Sequence, residues 1–136
     1  MIFRAKYFFL SNFYPTWIDG YPSAEHLYQA CKTEDVHEYN EIKHAATPGI
    51  AKRLGSRCHI REDWESIKYD VMRQILKKKF SNPEMATMLL DTGTEELIEH
   101  NYWHDNYWGS CLCNKCKDKG QNNLGKLLMK QREALR

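Results

Sequence analysis

Apolar positions recurring every three or four residues mark most of this chain as helix. Trp64, Ile67, Val71, Ile75 and Leu76 keep that spacing and predict a long helix from Asp63 through Phe80. Leu127, Leu128 and Leu135 mark a last helix, with Asn123 able to cap it. Ser23 can cap a helix to about Lys32, and Asp35 another through about Ala46. Thr47 before Pro48 sets a cap ahead of a proline at the first helical position, and Gly55 closes that segment. Asn82 and Pro83 open a further helix that Gly93 ends. The opening differs: residues 2–18 are rich in aromatics and predict short strands broken at Ser11–Asn12 and Tyr14–Pro15. Asp19–Gly20 is a turn signal between Thr16-Trp17-Ile18 and Tyr21. Between Gly93 and Gly120 the pattern weakens. Residues 95–99 predict a short strand, and residues 100–119 are polar, aromatic and cysteine-rich with no period. Such a stretch in a compact domain is usually functional or disordered, and its aromatic residues argue against disorder. The fold class is therefore α+β, a single helix-rich domain over residues 1–136 with a small N-terminal β-sheet.

The chain has 136 residues, which fits one domain able to bury a core without a disulfide or metal staple. No apolar run exceeds four residues, far below the roughly 20 that span a bilayer. The N-terminus lacks the layout of a signal peptide. Membrane and secretory classes are thus excluded, and a cytoplasmic protein is expected. Twenty Lys and Arg against 18 Asp and Glu leave +2, too balanced to demand a nucleic-acid partner. The charge is uneven: Lys52, Arg53, Arg57 and Arg61 share a stretch without acids, and residues 115–136 are basic. Such faces attract phosphates, but a solvated helix surface reads the same. Cys31 and Cys58 stand alone, as free thiols do in a reducing compartment.

Three segments can carry chemistry. In residues 23–32, Glu25, Tyr28, Gln29 and Lys32 share one helical face. An exposed stripe of that composition looks alike, but residues 10–15 (Leu-Ser-Asn-Phe-Tyr-Pro) just before it suit the lining of a pocket. In residues 102–109, Asp105 precedes Trp108 and Gly109 by a turn's length, so the indole is either a stacking wall or a loop anchor. Residues 120–129 form a loop-to-helix junction with two glycines, a setting that can bind phosphate. Separately, Cys111, Cys113 and Cys116 have partly metal-like spacing. With His104 or His100 they can supply the four ligands of a structural zinc, while free thiols or a redox-sensitive cluster fit the same spacing.

These pieces fall in a set order. Residues 10–15 and 23–32 come first, then Ala-Lys-Arg-Leu-Gly at 51–55, then Trp64 with Lys68 and Met72. Lys79–Phe80, Leu-Asp-Thr-Gly at 90–93, Asp105 with Trp108–Gly109, and Gly120 with Asn122 and Leu124–Gly125 follow. The set resembles the NADAR, or YbiA-like, family from about Phe8 to Arg132. The resemblance implies a helix-rich fold and an N-glycosidase. Family members act on phosphoribosylamino-pyrimidines of riboflavin synthesis or remove ADP-ribose from the exocyclic amine of guanine in nucleic acid. It places Glu25, Lys32 and Asp105 in a catalytic role. Asn12, Phe13, Tyr28, Trp64, Trp108, Gly109 and Asn122 are implied substrate contacts, with Trp64 or Trp108 stacking on the ring. Lys52 and Arg53 are further phosphate candidates, and Lys68 and Lys79 read equally as surface residues.

Two routes are open. An oxocarbenium path would divide acid and base work between Glu25 and Asp105. An imine path would open the ribose and exchange the amine for Lys32, given a lowered lysine pKa. No cofactor is required by either, and a structural zinc at Cys111, Cys113, Cys116 and His104 would hold the Asp105–Trp108 loop. The expected partner is an ADP-ribosyl or phosphoribosyl amine, free or on DNA or RNA. Two other classes compete: a nucleotide-binding module without turnover, and a zinc-dependent nucleic-acid binder, for which +2 is a weak electrostatic basis.

Overall fold

Asp19 and Gly20 hold φ of +52° and +82°, the backbone that a two-residue hairpin turn demands. They join β1 (Pro15–Ile18) to β2 (Tyr21–Ser23), paired antiparallel with an irregular register between Pro15 and Ile18. The computed structural model describes Ile2–Arg136. It is an α+β fold, and the chain packs as two units: Asn12–Lys79, and residues 2–11 with Phe80–Arg136.

The unit Asn12–Lys79 holds the hairpin and four helices: α1 (Ala24–Ala30), α2 (Val36–Lys43), α3 (Pro48–Gly55) and α4 (Trp64–Lys79). Three start at the predicted caps. Ser23, Asp35 and Thr47 each accept a hydrogen bond from the backbone N–H three residues on, at 3.2, 3.0 and 3.1 Å. Helix α1 packs against α2, α3, α4 and β2. Enclosed on all sides, it buries every one of its residues, as a helix at the centre of a unit must. Both α1 and α2 stop short of the expected ends. After α2, the Ala45 carbonyl accepts from His26 Nε2 at 3.0 Å.

The other unit contains a 3-10 helix (Ala5–Leu10), α5 (Pro83–Leu90), α6 (Asn123–Ala134) and a minimal parallel pair, β3 (His100–Asn101) with β4 (Ser110–Cys111). Helix α5 packs on α6 and on the 3-10 helix, and Asn82 caps α5 through Glu84 and Met85 N–H. Within α6, the buried Arg132 donates to Thr92 Oγ1 at 2.8 Å.

Two expectations are corrected here. Residues 5–10 are not a strand: adjacent Phe9 and Leu10 are buried while Phe8 is exposed, and Ser11 N–H closes back on the Phe8 carbonyl. Aromatic β-propensity needs a partner strand to act on, and this run has none. Residues 95–99 are not a strand either. The Asn122 amide takes the partner's place, donating to the Leu97 carbonyl and accepting from Glu99 N–H, each at 2.9 Å. That duty also explains why Asn122, in left-handed backbone at φ +52°, precedes α6 without capping it. Among the described residues no helix is long and apolar enough to cross a membrane.

Candidate active site

Helix α1 and the residues just past its end hold the candidate groups of the unit Asn12–Lys79. Glu25 lies in its first turn with only 7% of its surface exposed, and its N–H donates to the Asn12 carbonyl at 2.9 Å. One turn on, Gln29 Nε2 donates to Glu25 Oε2 at 3.3 Å. Gln29 can lie there because residue 55 is glycine. A Cβ at Gly55 would sit 1.9 Å from Gln29 Oε1, so the glycine that ends α3, as expected, also permits a close side-chain approach. Gln29 was legible on the face of Glu25, but its contact with Gly55 was not, since neither helix period nor cap chemistry flags such an approach.

Lys32 follows just past the end of α1, its N–H bonded to the Gln29 carbonyl and its own carbonyl accepting from Arg61 N–H. Its side chain is half-buried, with Nζ 5.8 Å from the Tyr28 ring centroid. Burial lowers its pKa below the ordinary lysine value. The Glu25 carboxylate pulls the other way, while the positive fields of Lys52 and Lys68 add to the lowering. Behind Lys32, Tyr28 packs on Trp64 with ring centroids 5.2 Å apart. Trp64 is 4% exposed, so it backs the apolar wall and presents almost no face of its own. Lys68 pairs with Glu65 at 2.7 Å, and Lys52 and Arg53 are exposed in the last turn of α3.

Asn12 turns its amide nitrogen to Met72 Sδ at 3.5 Å. Its Oδ1 is buried without a hydrogen-bond partner among the described residues, which leaves an acceptor for a ligand's donor. Phe13 beside it is 37% exposed. Lys79, readable as a surface residue, is instead 2% exposed. Desolvation pushes its pKa down to about 7, with Nζ 6.0 Å from the Tyr14 ring.

In the other unit, Asp105 organises its own loop. Its Oδ1 accepts from the N–H groups of Tyr107 and Trp108 at 3.2 and 3.0 Å. The Asn101 side chain clasps the Asp105 backbone from both sides. Trp108 is half-buried, edge-on to Tyr107 at 4.8 Å. Gly109 is required by a close crossing: a Cβ there would meet the Glu99 carbonyl at 2.2 Å. The Asn122 amide has both polar atoms engaged by the backbone of Leu97 and Glu99. Gly120 and Gly125 likewise sit where backbone carbonyls leave no room for a side chain. The same loop gathers His104, Cys111, Cys113 and Cys116, whose donor atoms lie within 4.8 Å of one another. His100, the other histidine considered for that set, has its Nε2 3.2 Å from the Asp118 carboxylate.

A small helix-rich α+β fold with a buried Glu–Gln pair on one helix and a half-buried lysine just past its end defines an enzyme-like site. Comparison with known proteins names the class. The NADAR domain family model matches residues 2–136. The N-glycosidase YbiA of Escherichia coli is 39% identical over 92% of this chain and 79% of its own length. A riboflavin biosynthesis protein of Vibrio vulnificus is 40% identical over 93% of this chain but 35% of its own. The NMR structure of E. coli YbiA superposes with a TM-score of 0.83 at 37% identity, covering 99% of this chain and 83% of that one. The chain belongs to the NADAR family, and it is an N-glycosyl hydrolase.

Proposed function

We propose that the bond hydrolysed joins C1 of a ribose to an exocyclic amine, and that the amine is that of ADP-ribosylated guanine in nucleic acid. The observation that carries the chemistry at C1 is Lys32, a half-buried lysine with a lowered pKa in the field of the buried Glu25. Opening of the ribose ring turns the C1–N linkage into an imine. The neutral Lys32 amine adds to C1, the guanine amine leaves with a proton delivered by Glu25, and a lysine Schiff base remains. Water then adds to C1, Glu25 takes up and returns the protons, and the free sugar and Lys32 are released. No cofactor enters this sequence. Because the neutral amine is the nucleophile, activity is lost as pH falls through the Lys32 pKa. Its lowered value sets that loss below the range of an ordinary lysine.

Asn12 and Phe13 supply an acceptor and an exposed ring for sugar or base, and Lys52 and Arg53 suit the phosphates. Tyr28 and Trp64 are assigned to the wall that dehydrates Lys32, and Asp105 and Asn122 to holding the loop that presents Trp108 and Gly109. A second reading, hydrolysis of a phosphoribosylamino-pyrimidine, is favoured by the relative named as a riboflavin biosynthesis protein. The test offers a guanine-ADP-ribosylated oligonucleotide and a phosphoribosylamino-pyrimidine side by side, with products read by mass spectrometry. Release of ADP-ribose from the oligonucleotide supports the first reading, turnover of the pyrimidine alone replaces it with the second, and silence on both overturns the pair.

A further inference from the structure

The loop that carries Asp105 and Trp108 contains a group of side chains with no part in the proposed chemistry. His104 Nδ1 lies 3.4 Å from Cys116 Sγ, 3.5 Å from Cys113 Sγ and 3.6 Å from Cys111 Sγ. A ring nitrogen carries at most one hydrogen, so three near-equal contacts are not three hydrogen bonds. They are donor atoms converging on one centre. With Zn–N of about 2.0–2.1 Å and Zn–S of about 2.3 Å, a tetrahedral ion sets its nitrogen and sulfur ligands about 3.5–3.6 Å apart. That is the spacing of these atoms.

We propose that His104, Cys111, Cys113 and Cys116 bind one zinc ion as a closed structural site that fastens residues 101–120. Three soft thiolates with an imidazole form a donor set suited to zinc, and four protein ligands leave no open position for catalysis. The surroundings match. Cys116 N–H donates to Cys113 Sγ at 3.3 Å, and Cys111 N–H is held by Asn106 Oδ1 at 2.9 Å, the kind of outer bonds that orient metal ligands. Lys115, Lys117 and Lys119 offset the negative charge of a zinc tris-thiolate. On either side of the cluster His104, Lys117 and Asp118 hold φ of +68°, +54° and +56°. Strain of this kind persists only where the surroundings enforce it.

The test uses the full chain purified in reducing buffer without chelator. Elemental analysis should find about one zinc per chain. Cobalt added to the stripped protein should give thiolate charge-transfer absorption and the intense visible bands of tetrahedral coordination. Cys116→Ser and His104→Ala should lose the zinc. His104→Cys, which restores a fourth soft donor, and Cys31→Ser, outside the cluster, should keep it. Stripping zinc should speed protease cleavage within residues 101–120, and added zinc should reverse this. Absence of both zinc and cobalt bands in the reduced parent chain overturns the site, as does zinc retained in full by both Cys116→Ser and His104→Ala. Cleavage indifferent to zinc overturns the fastening role.

Discussion

The unit Asn12–Lys79 and the loop at residues 95–122 are built on opposite principles. In the first, backbone order comes from helices begun by Ser23, Asp35 and Thr47, and the proposed reactive groups lie in the enclosed α1 and just past its end. In the second, side chains do what a ladder would do elsewhere. Asn101, Asp105, Asn106 and Asn122 each bond to backbone groups of the loop, with four cysteine and histidine donors at its far end. The difference teaches where chemistry and shape are divided. A capped, enclosed helix holds Glu25 and Gln29 with Lys32 at its end, and a side-chain-knit loop holds its form by a few specific contacts.

Substitutions can break that contrast at either end. The largest effect is expected at Glu25→Gln, which keeps the shape and the bond to Gln29 but removes a proton carrier. Turnover should fall about a hundredfold or more while the melting temperature holds. Steady-state kinetics beside thermal unfolding checks this, and full activity would remove Glu25 from the chemistry. Next comes Asn122→Ala, which strands the Glu99 N–H and the Leu97 carbonyl. Each buried group left unpaired costs about 1–3 kcal/mol, so denaturant titration should show a substantial loss of stability.

A third prediction concerns pH. Lys79 is depressed to about 7 in the fold and regains an ordinary lysine pKa on unfolding, so between those values the unfolded chain binds more protons. Stability from this group therefore rises with pH from about 7 toward the ordinary lysine range. Lys79→Met, compared with the parent, should look most favourable at pH 6 and lose that advantage by pH 9–10, as read by urea midpoints at each pH. The smallest effect is expected at Thr47→Ala, a lost cap worth about 1 kcal/mol. A far greater loss there would mean that the helical unit, too, hangs on single side-chain contacts.

Legibility in the sequence followed the same divide. The caps at Ser23, Asp35, Thr47 and Asn82 and the Asp19–Gly20 turn are local chemistry, and local chemistry is written in neighbouring residues. Glu25, Tyr28, Gln29 and Lys32 were readable as one face for the same reason. The close approach of Gln29 to Gly55 was not, because the two lie far apart in sequence. Asn122 could not be read as a strand substitute, since Leu97 and Glu99 lie a long loop apart from it. Lys79 did leave a trace: it falls three and seven residues after Leu76 and Met72, on the buried register of α4, behind the mask of a lysine run. The cysteine spacing pointed toward a metal, but only folding selects His104 over His100.

In the proposed reaction Lys32 forms the covalent intermediate and Glu25 moves the protons. The most direct test is borohydride added during turnover of the ADP-ribosylated oligonucleotide, followed by peptide mapping by mass spectrometry. A reduced sugar adduct is expected on Lys32, one that needs substrate and vanishes in Lys32→Arg together with activity. Full turnover by Lys32→Arg, or an adduct on another lysine, would contradict it.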